Sequence, residues 1–255
     1  MPTKYIFFFL LFLFVRISEA QHSGDKAKKM LQALRNTLGK EEGKNITLEE
    51  VKAYFLEVAL KEEFYKEQKQ ILRKWKGEIR YQVQGKASEE LLKELQQIIV
   101  IVEELAWLTG LSIKRVSSAQ NANLIIFFGK GKDYTLVEPA AKAYIASNRG
   151  LFFFRNNAQG AITSATLYVE TQDKKISLTA QKHLLREELT QMLGLPNDSP
   201  RYPKSIFYKP WSLTTQYAPI DRFLIALLYH PQLSTGLSAE ACAVRIDQIF
   251  KNLSP

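Results

Sequence analysis

Histidine and cysteine are scarce in this chain of 255 residues, with three of the first and one of the second. The histidines, His22, His183 and His230, are spread too widely to suggest an imidazole-rich zinc site. Cys242 has no second thiol in the chain, which excludes an intramolecular disulfide and any cysteine cluster. It lies in the apolar stretch 239–244, where a buried, inert thiol is expected. The sequence also lacks a Gly-x-Ser-x-Gly elbow, a Gly-x-x-x-x-Gly-Lys loop and a dinucleotide-binding glycine fingerprint. Those absences argue against the common serine hydrolases, P-loop nucleotide hydrolases and nicotinamide enzymes. Past residue 20 no apolar run is long enough to span a bilayer, and no block of five like charges occurs.

The chain opens with a short apolar run. Lys4 precedes the apolar segment Tyr5–Val15, and Ser18-Glu19-Ala20 sets small residues at both key positions of a cleavage site. Residues 1–20 are therefore expected to be a signal peptide, with an exported product that is periplasmic or secreted. The formal charge of +9 comes from Lys and Arg scattered among Glu along helical stretches. A basic exported protein suits a protein partner or an acidic envelope polymer, and nucleic acid is not expected as a partner. No membrane span is expected after signal cleavage.

Residues 21–74 read as a helical N-terminal arm. Gly39 and Gly43 separate a helix over about 26–38 from one entered through a Thr47/Glu50 capping box, with Val51, Tyr54, Phe55 and Val58 at helical spacing. Asn45-Ile-Thr47 also fits a glycosylation acceptor, relevant only in a eukaryotic secretory host. The pattern changes at Trp75. Ile79, Tyr81 and Val83 alternate as in a strand, and Ser88 caps a helix with apolar positions from Leu91 to Ala106 that Gly110 ends. Strands are expected at Ile113–Val116, Leu124–Phe128, Leu151–Phe154 and Ile162–Val169, and helices at 178–193, Pro219–Tyr229 and Ser238–Lys251. Gly129-Lys-Gly-Lys132 is expected to be a basic turn that opens no helix.

The informative segment is His183-Leu-Leu-Arg-Glu187-Glu188-Leu-Thr-Gln191-Met-Leu-Gly194-Leu195-Pro-Asn197-Asp198. On a helix Glu187 and Gln191 share a side, Glu188 turns toward the apolar stripe, and the glycine turn doubles the chain back. This order resembles the metzincin-like zinc peptidases, in which His-Glu-x-x-His is followed by x-Leu-Gly-Leu-x-His-Asp. Matched position by position, Glu187, Gln191 and Asn197 stand where that family has its ligand histidines. Glu188 stands at the general-base glutamate, and Asp198 follows the last ligand position. Ser205-Ile206-Phe207 is similar to the Met-turn stretch with Phe207 for methionine, and the segment from Asp221 to Tyr229 is similar to the closing helix. Together these residues also resemble a family of exported bacterial proteins and lipoprotein-like chains catalogued as a domain of unknown function.

The resemblance implies an α+β, zincin-like domain over 75–255, with a mixed sheet and a central helix of the active-site type. Zinc favours imidazole, thiolate and carboxylate over neutral amides, so no metal and no cofactor is expected at Glu187, Gln191 and Asn197. His183 is expected on the helix surface. The reading is a non-catalytic binding module with Glu187, Gln191, Asn197 and Asp198 as its degenerate cleft. The alternative is an exported metallopeptidase-like hydrolase with Glu188 as base. The mature protein should begin near Gln21, which N-terminal sequencing of the exported form will check; a product that keeps residues 1–20 would refute cleavage.

Overall fold

The computed structural model describes residues 24–38, 45–61 and 70–253. The expected signal peptide, His22, Gly39 and Gly43 lie outside these residues. Helix α1 covers residues 24–38. It is followed by α2 (Leu48–Leu60), β1 (Lys74–Trp75), β2 (Glu78–Gly85), α3 (Glu89–Ala106), β3 (Ser112–Arg115), β4 (Leu124–Gly129) and α4 (Gly131–Val137). The remaining elements are β5 (Gly150–Asn156), β6 (Ala161–Glu170), α5 (Leu178–Gln191), α6 (Pro219–Leu228) and α7 (Ala239–Lys251). Among the described residues no helix is long and apolar enough to cross a membrane.

The six strands make one mixed sheet in the order β1-β6-β4-β2-β3, with β5 also on β6. All pairings are parallel except β5 on β6, which is antiparallel. Both faces are covered. Leu124, Ile126 and Phe128 of β4 and Ala165, Leu167 and Val169 of β6 point into the main core with α3 and α5. The alternate residues Phe127 and Tyr168 form a smaller cluster with Tyr134 and Ala141 on the other face. Burial on both faces explains why β4 and β6 read as near-continuous apolar runs.

α3 buries Leu91, Leu95, Ile98, Ile99, Val102, Leu105 and Ala106, the face its spacing predicts, and the Ser88 hydroxyl accepts from Leu91 N at 3.3 Å. The Thr47/Glu50 box caps α2 reciprocally. α1 and α2 are built into the body. Leu31, Leu38, Val51, Tyr54, Phe55 and Val58 belong to the main core, α2 packs on α6 and α7, and Lys52 pairs with Asp247 at 2.8 Å.

The Gly129–Lys132 stretch departs from its expected form, because α4 begins at Gly131. Its N-cap, Lys130, offers no capping side chain, and the helix is too short to show a period. Tertiary contacts hold it instead. Tyr134 stacks on Tyr168 at 5.0 Å between centroids, and its hydroxyl lies 2.8 Å from Thr166 Oγ1.

Two buried basic groups lie near the α6–α7 junction. Lys74 donates to Leu228 O at 2.8 Å beside the Tyr229 ring, and burial lowers its pKa to about 7. Burial, with Lys74 close by, lowers that of His230 to about 4. Cys242 is buried, and its thiol pKa is pushed up to about 11.

The end of α5 positions everything that follows. Helix C-termini leave carbonyls without intrahelical partners. Here Trp75 Nε1 donates to Met192 O at 3.1 Å and Tyr229 OH donates to Leu193 O at 3.1 Å. Gly194 takes φ +123°, and a Cβ there would stand 2.0 Å from the Arg73 carbonyl oxygen. The sharp return of the chain therefore needs glycine on both conformational and steric grounds. Gly194→Ala should cost about 2–4 kcal/mol, read as a lower urea midpoint in equilibrium unfolding; an unchanged midpoint would contradict the packing of this turn.

Candidate functional site

The candidate site is the C-terminal half of α5 together with the chain that returns over it. α5 packs on β5 and β6 on one side and on α3 on the other. Arg186 pairs with Glu94 of α3, both buried, and its guanidinium lies 4.6 Å from the Tyr217 ring centroid. Thr190 Oγ1 lies 2.6 Å from Tyr217 OH and donates to Arg186 O at 2.5 Å. These contacts fix the rotation of α5.

His183 differs from its expected surface position. It is 2% exposed, because the 211–217 stretch folds across it. Its Nδ1 donates to Thr214 O at 2.8 Å, the Trp211 ring meets it in a T-shaped contact, and Nε2 faces Glu187 Oε2 at 3.4 Å. Burial disfavours the charged ring, but Glu187, the Thr214 carbonyl and Asp198 outweigh it and raise the pKa above its ordinary value.

Glu188 is also buried, unlike most residues of a Glu-Glu pair on a helix. Its carboxyl tucks under the first residue of β5, where Gly150 leaves room for it. A Cβ on Gly150 would come within 2.4 Å of Glu188 Oε1 and 3.0 Å of a Leu184 methyl. Burial, then the nearby charges of Glu187 and Asp198, raise the Glu188 pKa well above the carboxylate range.

The other expected positions divide. Gln191 Nε2 donates to Asp198 Oδ1 at 2.6 Å, so the Gly194 turn does return Asp198 to α5. Asn197 is turned away. Its amide donates to Val58 O at 3.0 Å and Glu57 O at 3.5 Å, capping the end of α2. The structure thus gathers His183, Glu187, Glu188, Gln191 and Asp198 and sends Asn197 to a structural task. Three donors do not converge where a zinc ion would need them, and the amides of Gln191 and Asn197 already serve as hydrogen-bond donors. Among the described residues no group of three His, Cys, Asp or Glu side chains could hold a metal ion. The donor set does not fit zinc.

The sequence gives no sign of the Thr214, Trp211 and Gly150 contributions, since a proline-rich loop and a strand's first glycine carry no periodic signal. The His183/Glu187 spacing of four residues is the one legible hint of their contact. A cavity of about 500 Å³ opens elsewhere, at the ends of β4 and β6.

A family model described as a protein of unknown function (DUF2927) matches residues 48–248. No curated protein matches the chain. Among solved structures, that of myroilysin shares 12% identity over 62% of this chain and 97% of its own, with a TM-score of 0.39.

The raised Glu188 pKa makes a signed prediction. A carboxyl whose folded pKa lies above its unfolded value contributes stability that is fully present below about pH 4.5 and is lost as pH rises through the folded pKa. Glu188→Gln, which cannot ionise, should therefore melt increasingly above wild type from pH 5 to pH 8, with the difference smallest near pH 4. A difference in thermal midpoint that does not change with pH would show that Glu188 ionises normally.

Proposed function

The chain belongs to the DUF2927 family, described as of unknown function, and we propose that it is an exported, non-catalytic binding module on a zincin-like framework. The observation that carries this reading is the use made of the ligand positions. Gln191 and Asn197, at two of the three, give their amide hydrogens to Asp198 and to the α2 carbonyls, while Glu187 faces His183. Water activation by a zinc peptidase needs a metal to lower the pKa of the bound water, and this arrangement has no open set of donors to bind one.

The framework half of the proposal rests on the order of parts around α5. The helix ends in a glycine turn that brings Asp198 against Gln191, and the Ser205-Ile206-Phe207 turn is anchored on Asp221 of the following helix. The same order is what the sequence resemblance implies. Export rests on the N-terminal pattern, and the basic charge suits a protein or an acidic envelope polymer as partner.

The other reading, a metallopeptidase-like hydrolase with Glu188 as base, requires an ionised and reachable carboxylate. Glu188 is buried with its carboxyl packed against Gly150, so it presents no reachable base to a substrate.

Purification without chelators followed by elemental analysis tests the proposal directly. The expected result is zinc far below one ion per chain and no turnover of casein or peptide mixtures. Near-stoichiometric zinc, or turnover that Glu188→Gln abolishes, would overturn it.

A further inference from the structure

We propose that the cavity at the carboxyl ends of β4 and β6 binds a compact, multiply charged anion of the phosphate class. Parallel strands direct their carboxyl ends toward the connecting loops, the usual place for ligands in sheets of this kind. The cavity opens on the face of the sheet that carries Tyr168 and Glu170, opposite the main core, and its volume of about 500 Å³ suits a small molecule.

Charge is what distinguishes the cavity. Lys130 follows β4, Lys132 lies in the first turn of α4, Lys142 sits on the short 3-10 turn Pro139–Ala143, and Arg149 leads into β5. These are the residues of the Gly129-Lys-Gly-Lys132 stretch and the connection after it, and the α5 site uses none of them. Among the described residues, none of the three lysines has a carboxylate within ion-pair distance.

Two acids share the cavity, and both are engaged. Glu170 is buried and accepts from Tyr168 OH at 2.8 Å, Gln172 N at 2.8 Å, Asp173 N at 3.1 Å and Gly131 N at 3.3 Å. It organises the wall of the cavity, and none of those contacts is with a lysine. Asp173 accepts from Lys175 N at 3.0 Å and lies 3.7 Å from Arg149 Nε. Three exposed lysines and Arg149 therefore outnumber the two acids around a concave space, and that excess of positive charge favours an anion. Lysine serves phosphate as a point charge and arginine as a fork, so a phosphate ester or a short polyphosphate uses both kinds of donor. A headgroup of an anionic phospholipid shares this chemistry with a soluble phosphate compound.

Titration calorimetry of the purified protein with inorganic tripolyphosphate at low salt tests the site. Saturable one-to-one binding is expected. Lys130→Gln/Lys142→Gln should weaken it on the order of tenfold or more, while Lys130→Arg/Lys142→Arg should retain it. Lys28→Gln/Lys29→Gln removes the same charge from exposed positions of α1 and should leave binding within about twofold of wild type. A parallel arm replaces the soluble anion with phosphatidylcholine vesicles containing phosphatidylglycerol. Binding to vesicles but not to tripolyphosphate, lost in the same cavity variant, assigns the site to a lipid headgroup; the reverse assigns it to a soluble ligand. No saturable binding in either arm, or equal loss in the remote variant, would overturn the proposal. Glu188→Gln, on the other side of the sheet, should bind as wild type does, so the fate of this site is read separately from that of the α5 cluster.

Discussion

The buried carboxylate of Asp221 holds the upper half of the molecule together. It is fully enclosed and accepts from Ser205 Oγ at 2.5 Å, Ile206 N at 3.0 Å and Ala218 N at 2.9 Å. A carboxyl so enclosed is tolerable only when its oxygens are satisfied, and here the donors come from the middle and the end of one long connection. The connection between α5 and α6 is thereby drawn into a fixed cover. Tyr54 of α2 lies 2.8 Å from the same Ser205 hydroxyl, so the first helices are tied to the same point. Burial of His183, enclosure of Thr190 and the placement of Trp211 all depend on that cover.

Under it, α5 carries residue types that usually face water: His183, Arg186, Glu188, Thr190 and Gln191 are all buried. Most have a local partner, although Arg186 keeps Nε and Nη1 buried without a hydrogen bond. Arg186 has Glu94 and the Tyr217 ring, Gln191 has Asp198, and His183 has a carbonyl and Glu187. At Glu188, burial and then the charges of Glu187 and Asp198 raise the pKa. These side-chain contacts tie α5 to α3, to the chain that returns over it and to the 211–217 stretch.

Much of the fold was legible because it follows simple periods. α3 shows its buried face in the spacing of seven apolar residues, β4 and β6 show two-sided burial as unbroken apolar runs, and Thr47/Glu50 marks the start of α2. α4 was hidden, because a seven-residue helix without a capping side chain draws its stability from Tyr134 on Tyr168, a contact between residues 34 apart. β1, two residues long, is likewise made by its partner β6. At the candidate site the return of Asp198 to α5 could be read from the Gly194 turn. The burial of His183 could not, since the residues that cover it lie some thirty positions away in a loop without a pattern. Asn197 was misplaced for the same reason: its role is set by the end of α2, about 140 residues earlier.

The close fit between β5 and α5 also bears on how the chain can change over time. Glu188 occupies the volume that any side chain on Gly150 would need, and 38 positions separate them in sequence. A change at either is felt at the other. A larger residue at 150 makes the Glu188 carboxyl shift, which a smaller residue at 188 eases, and a smaller residue at 188 leaves room for growth at 150. Across related chains the two positions should therefore change in concert, and the pairing would survive even where the residues themselves do not.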